Sequence, residues 1–338
     1  MEQPSQPVAT PERDAHRLRN GLIYTLALGV LLLAIGLAVP DLRDVLARVA
    51  HAHAGWIVLA VVLEILSCLG YVAVVRLVLN RGPAREVRRL AWAEMAFGAV
   101  VPVGGAGGLA VGAWAMRAWG IAWSRIANRS AVIFLVTSGI NALVLILAGL
   151  GVWAGIGSAR TGFVHGLVPA LGAAASVAFF VLLPLIAKRV PGRRLKMALG
   201  ALSDWVKSAE NTAFTPDWRL LGAVGYLLFD IAVLWACLKA VGDTPPLLAL
   251  VAGYQIGYLA NLVPIPGGLG VLEGGLLGAL LLYGLPAAPT AAAVILYHAI
   301  ALWVPTVGGT YAFTRLRQTV ARVAVDQAAR ASADASAA

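Results

Sequence analysis

Val101-Pro102-Val103-Gly104-Gly105-Ala106-Gly107-Gly108 and Val263-Pro264-Ile265-Pro266-Gly267-Gly268-Leu269-Gly270 decide how this chain folds. The second stretch echoes the first at an offset of 162 residues, and the same offset lays Ala131-Val132-Ile133 on Ala293-Val294-Ile295. Both stretches are embedded in apolar sequence. Proline and clustered glycine break helices, and broken backbone at membrane depth is tolerated only where it is buried in protein or lines a cavity. Gly/Pro-interrupted apolar segments at matching places in two halves point to a transporter binding site.

The composition sets the class. Of 338 residues, 60% are hydrophobic and only 12% charged, with a mean hydropathy of +0.83. A soluble domain carries about 25% charged residues, so the chain reads as an integral membrane protein. Its long apolar stretches fit helices rather than the alternating pattern of a membrane barrel. The net charge of +10 calls for no nucleic acid, because the basic residues sit in short loops between spans. Cys68 and Cys237 fall within apolar spans and read as small hydrophobes, not as a disulfide framework. The stretch 22–39 follows Arg13, Arg17 and Arg19 and reads as an uncleaved anchor rather than a signal peptide. The alanine-rich tail after Arg317 reads as a short helix fraying into disorder.

Six stretches are long enough to cross a bilayer of roughly 30 Å, which takes about 20 apolar residues. They are approximately 22–39, 55–79, 130–157, 164–187, 219–241 and 288–313. Two further segments, about 90–118 and 247–285, carry the motifs, and each reads as a pair of half-helices that enters and leaves by one face. With the N-terminus inside, Arg81, Arg85, Arg88, Arg89, Arg117, Arg125, Arg129, Lys188, Arg189, Arg193, Arg194, Lys196, Arg315 and Arg317 are all cytoplasmic. Only Arg43, Arg48, Arg160 and Lys239, four of 26 basic residues, then fall outside. A single crossing by 90–118 would move Arg117, Arg125 and Arg129 outside, so charge bias favours the re-entrant reading.

The two hairpins then dip in from opposite faces. The fold class that follows is an all-α polytopic membrane protein of six full spans plus two re-entrant helical hairpins in an inverted repeat. Both termini are cytoplasmic. Residues 1–20 form an N-terminal tail, 21–317 one transmembrane domain with halves about 21–187 and 188–317, and 318–338 a second tail. Residues 192–213, with Leu195, Leu199, Leu202 and Trp205 among Arg193, Arg194, Lys196 and Lys207, read as an amphipathic helix on the cytoplasmic interface. An ordinary loop helix is the alternative.

A half-helix starting at mid-membrane presents unpaired N–H groups and the positive end of its dipole, and glycine lets a ligand approach that backbone closely. Pro102, Gly104, Gly105, Gly107 and Gly108 would form one cradle, and Pro264, Pro266, Gly267, Gly268 and Gly270 the other. An anion at that depth points to a lipid phosphate; the competing reading is that the glycines permit tight helix crossing. Intramembrane charge is the second clue. Glu64 and Asp230 lie mid-span and Glu273 follows the second glycine cluster, each at a cost of about 2.5–3.5 kcal/mol on insertion scales. Glu64, Ser67 and Tyr71 share one helix face, Tyr254, Tyr258 and Asn261 make a polar stripe into the second loop, and His298 follows Tyr297. Glu64 and Asp230 either line a cavity or are neutral, hydrogen-bonded packing groups; Glu273 suits a helix start. Glu94 reads as an interfacial partner of Arg88 or Arg89, and Arg117, Arg125 and Arg129 as positive-inside residues.

No enzyme signature stands out: there is no H-E-x-x-H, no phosphate loop ending in Lys-Ser/Thr and no G-x-S-x-G. The five histidines make no metal-ligand grouping beyond the loop pair His51 and His53. The expectation is a non-enzyme without cofactor or metal.

The run from Tyr258 through Pro266-Gly267-Gly268-Leu269-Gly270-Val271-Leu272-Glu273 to Gly274 resembles the P-G-G-x-G-x-x-E signature of the flippase-like family, the transmembrane region of lysylphosphatidylglycerol synthases and their stand-alone relatives. Tyr283-Gly284-Leu285, Tyr297, Pro305 and Gly308 extend the resemblance, as do Pro102 to Gly108 and Arg117-Ala118-Trp119-Gly120 in the first half. It implies movement of lipids or lipid-linked headgroups between leaflets, with the motif loops near the substrate. Many relatives have arginine in place of His298 and a Glu-Arg pair where this chain has Leu135-Val136-Thr137, which leaves headgroup choice open. No soluble aminoacyl-transfer domain follows the last span, so synthesis of lysyl-lipid is not expected.

The expected function is therefore translocation of an anionic phospholipid or lipid-linked headgroup in the cell membrane, with membrane lipids as partners and homo-oligomerisation open. Two alternatives stand beside it. A polyprenyl diphosphate phosphatase would need a nucleophile, and neither loop supplies one. A transporter of small soluble anions would use the same cradles.

Overall fold

The structure, a computed structural model, describes residues 40–80, 82–100, 106–156, 163–189, 193–259 and 271–337. Among them every regular element is a helix: α1 Pro40–Ala50, α2 Ala54–Val78, α3 Ala84–Val100, α4 Ala106–Ala118, α5 Trp123–Trp153, α6 Phe163–Arg189, α7 Arg193–Ala213, α8 Leu221–Ala240 after a 3-10 turn at Trp218–Leu220, α9 Leu247–Tyr258, α10 Val271–Leu282 and α11 Ala287–Ala337. The chain divides into two compact units, Met1–His51 and Ala52–Ala338. The first contributes α1; everything below concerns the second.

Among the described residues five helical segments are long and apolar enough to cross a membrane: Ala54–Val78, Trp123–Trp153, Phe163–Arg189, Trp218–Ala240 and Ala287–Arg322. They match five of the six expected spans; the sixth, 22–39, lies outside the described residues. Two boundaries differ from expectation. Helix α5 starts at Trp123 rather than near 130, because Arg129 is a buried helical residue rather than a loop charge. Helix α11 runs on to Ala337 instead of fraying after Arg317. Outward-facing Val58, Phe134, Leu147, Leu171, Leu185, Trp303 and Val307 form the apolar exterior that a bilayer would solvate.

The 162-residue repeat is realised element by element. Helices α2, α3, α4 and α5 begin at 54, 84, 106 and 123; their counterparts begin at 218 (with the 3-10 turn), 247, 271 and 287. Within each half the motif segment is folded back on itself. A Cβ on Gly98 would touch Gly108 N, and one on Gly112 would strike the Glu94 carboxylate, so α4 runs antiparallel along α3. Likewise Gly257 packs on Leu276 and Gly253 on Leu280, so α10 returns along α9. At 1.5 Å per residue, the 12-residue helices α9 and α10 reach about 18 Å, well short of a bilayer's hydrocarbon core.

Packing is exchanged between the halves. The first hairpin sits on α11, where Gly308 and Gly309 meet Trp92 and Ala96 and Phe313 lies 4.8 Å from Phe97. The second hairpin sits on α5, where Gln255 Nε2 donates to Asn141 O at 3.0 Å and Gly151 meets Leu248. Helices α2 and α8 cross each other at the seam. Gly70 and Gly222 make that crossing tight: a Cβ on Gly70 would lie 2.6 Å from Tyr226 N and 2.7 Å from Gly222 O. Small residues at membrane helix crossings allow this backbone approach. Helix α7 turns Ser203, Val206 and Ala209 inward against α5 and α6 while Met197 and Lys207 stay exposed.

Candidate functional site

Antiparallel register places the two mid-span acids opposite each other. Trp56 stacks edge-on to Trp235 at 5.3 Å, and Ser67 Oγ donates to Tyr226 O at 2.9 Å. These contacts bracket Glu64 on α2 and Asp230 on α8, which interact electrostatically. Glu64 is 6% exposed. One of its oxygens accepts from the Cys68 thiol at 3.7 Å, and the other has no hydrogen-bond partner among the described residues. Asp230 is half-buried and better served. Tyr297 OH on α11 donates to it at 3.0 and 3.2 Å, and Tyr254 OH on α9 makes a second hydrogen bond. Four helices thus converge on one pair of carboxyl groups.

An aromatic shell surrounds them. Tyr254 stacks on Tyr258 at 6.0 Å and meets Tyr297 edge-on at 6.3 Å, and Tyr71 tilts against Tyr226 at 5.5 Å. From Tyr71 the polar network continues into the first hairpin. Its hydroxyl donates to Glu94 Oε2 at 3.3 Å, while Arg129 donates from Nη1 to Oε1 at 2.6 Å and from Nη2 to Oε2 at 3.0 Å. Both charged side chains are about 95% buried, and a two-point guanidinium–carboxylate pair of this kind is strong and directional. Arg129 on α5, Glu94 on α3 and Tyr71 on α2 therefore lock three elements together.

Several expectations are settled by these contacts. Glu94 pairs with Arg129, not with Arg88 or Arg89; Arg89 instead bonds Glu86 at 2.7 Å. Arg129 is consequently a buried structural cation rather than a surface positive-inside residue. Glu64, Ser67 and Tyr71 do share the inward face of α2, and the Tyr254–Tyr258 stripe faces Asp230. His298 stands beside the cluster, its ring 5.1 Å from Tyr297, with Nδ1 donating to Val294 O at 3.1 Å. Both free cysteines are buried.

Of the glycine cradles, Gly107 and Gly108 open α4 and are buried. A Cβ on Gly108 would collide with Glu94 O, so this glycine serves the close hairpin contact. Glu273 occupies the first turn of α10. Pro102, Gly104, Gly105, Asn261, Pro264, Pro266, Gly267, Gly268 and Gly270 lie outside the described residues. Tyr226, Glu94 and Arg129 are the site residues that sequence reasoning missed. The pair had one available signal, two opposite charges inside apolar sequence, but their 35-residue separation gives no local spacing to read.

Comparison with known proteins follows the same outline. Residues 22–309 match the family described as the lysylphosphatidylglycerol synthase TM region. The chain belongs to this family. The lysylphosphatidylglycerol synthase TM region thus takes in both hairpins, the α2/α8 seam and α11 as far as Gly309. A UPF0104 membrane protein of Methanothermobacter thermautotrophicus is 35% identical over 91 residues, 27% of this chain. That match spans about a quarter (26%) of the relative's own length. Family membership and five apolar membrane-length helices identify a multi-pass membrane protein from a family tied to lipid-related processes.

Proposed function

We propose that this protein is a lipid translocase of the cell membrane, moving an anionic phospholipid or lipid-linked headgroup between leaflets. One observation carries the reading: two helical hairpins related by the 162-residue repeat, each seated on the other half's long helix around a seam that holds the buried Glu64 and half-buried Asp230 carboxyl groups. In a membrane, Gly/Pro-interrupted helical pairs and buried charge belong at a substrate path. In this scheme the hairpins are re-entrant from opposite faces, and both termini and the outward side of α7 are cytoplasmic. The N–H groups at the starts of α4 and α10 receive the headgroup phosphate, with Glu273 beside the second Gly/Pro tip, while acyl tails stay in the bilayer. Nothing in this scheme uses a nucleotide.

The test is a leaflet-resolved assay in proteoliposomes containing fluorescent phosphatidylglycerol. The wild-type protein is expected to move the label from inner to outer leaflet, and Gly268→Leu combined with Glu273→Ala to abolish that movement. Unchanged movement in the double variant would overturn the site. Inhibition by free glycerol phosphate, together with uptake of that anion, would instead identify a transporter of small soluble anions.

A further inference from the structure

We propose that Glu64 and Asp230 form a proton-binding pair at the α2/α8 seam, and that its occupancy makes lipid movement respond to a pH gradient. The second half of this statement rests on the translocase reading; the first does not. The two carboxyl groups differ sharply in their surroundings. Asp230 accepts from two tyrosine hydroxyls, Tyr254 and Tyr297, and is half-buried. Glu64 has a thiol on one oxygen and nothing on the other, although it is 94% buried by its 6% exposure. Two carboxylates in electrostatic contact inside an apolar bundle do not both ionise. The hydroxyls make Asp230 the seat of the negative charge, and the bare Glu64 oxygen is the seat of a proton. The pair then titrates as one unit, taking up a second proton at Asp230.

Among the described residues no lysine or arginine acts on this pair. Helix α2 presents Cys68 and Tyr71, α9 presents Tyr254 and Tyr258, α11 presents Tyr297 with His298 beside it, and α8 itself carries Tyr226 and Cys237. Arg129, the buried arginine nearby, is committed to Glu94. Among the described residues no ammonium or guanidinium replaces the proton. A proton taken up at Asp230 removes the pair's negative charge, which a passing anionic headgroup would otherwise meet.

Infrared difference spectroscopy on the purified full-length protein, acid minus alkaline buffer and without added lipid substrate, reads the pair directly. Wild type is expected to show the carbonyl stretch of a buried carboxylic acid, and Glu64→Gln and Asp230→Asn each to lose part of it with the helical amide band intact. In proteoliposomes carrying fluorescent phosphatidylglycerol, an imposed pH gradient is expected to change the wild-type rate, and neither variant is expected to respond. An identical carbonyl band in wild type and both variants would overturn the proton site. Wild-type lipid movement indifferent to gradients of either sign would overturn the coupling. A wild type that shows the band yet moves no lipid would overturn the translocase reading while the proton site stands.

Discussion

Replacing Arg129 by methionine leaves the Glu94 carboxylate buried between α3, α4 and α5 with only Tyr71 OH as a donor. Unit charges 2.6 Å apart attract by about 6 kcal/mol at an effective dielectric of about 20, and desolvation of both groups offsets much of that. The cost of removing one partner is set by the charge left behind, about 3–5 kcal/mol for a buried pair. Arg129→Met and Glu94→Gln should each lower the unfolding free energy by that amount. The double variant should lose much less than the sum of the two single losses, because it buries no charge. Denaturant titration in lipid–detergent micelles, followed by tryptophan fluorescence, completes the double-mutant cycle. Hydrogen exchange should quicken first in α4, since Gly108 and Gly112 rest directly on Glu94. Single variants as stable as wild type, or losses that simply add in the double, would refute a strong buried pair at this position.

Gly70→Val drives a branched side chain into the backbone of α8, where a Cβ alone would sit 2.6 Å from Tyr226 N; a loss of at least about 1–3 kcal/mol is expected, read in the same titration. Asp217 accepts from Arg219 N at 2.9 Å and from its side chain at 2.6 and 3.0 Å, and Arg219 donates on to Arg76 O at 2.8 Å. Those hydrogen bonds hold the Asp217 carboxyl below the usual carboxylate range, so the latch is complete above the ordinary aspartate value of about 3.9. It is lost only as pH falls through the lower folded value. The carboxyl chemical shift of isotope-labelled protein should therefore titrate below that of a model aspartate, and Arg219→Gln, which keeps only the backbone N–H donor, should move it up toward the ordinary range.

The repeat was fully legible in the chain because 162 is a fixed offset between glycine clusters, and the helices keep it to within three residues. The inward face of α2 was equally readable, since Glu64, Ser67 and Tyr71 obey helical spacing. The start of α5 was not. Arg125 and Arg129 look like loop charges until a partner 35 residues upstream neutralises one of them. Tyr226 carried no signal at all: its role comes from the register of α8 across α2, a non-local fact that no periodicity within α8 encodes. Gly108 shows a different limit. A glycine that cradles a ligand and one that accommodates a neighbouring carbonyl are identical in sequence, and only the Glu94 contact separates them.

The exchange of hairpins between halves sets a timetable for biogenesis. Trp92 must await Gly308, 216 residues later in the chain, so at ribosomal speeds of about 5–20 residues per second the first hairpin stays unseated for on the order of 10–40 s. The second hairpin emerges to find α5 already made. Nascent protein halted before α11 therefore exposes an orphan surface of Trp92, Ala96 and Phe97, which an insertase or chaperone must shield until synthesis ends.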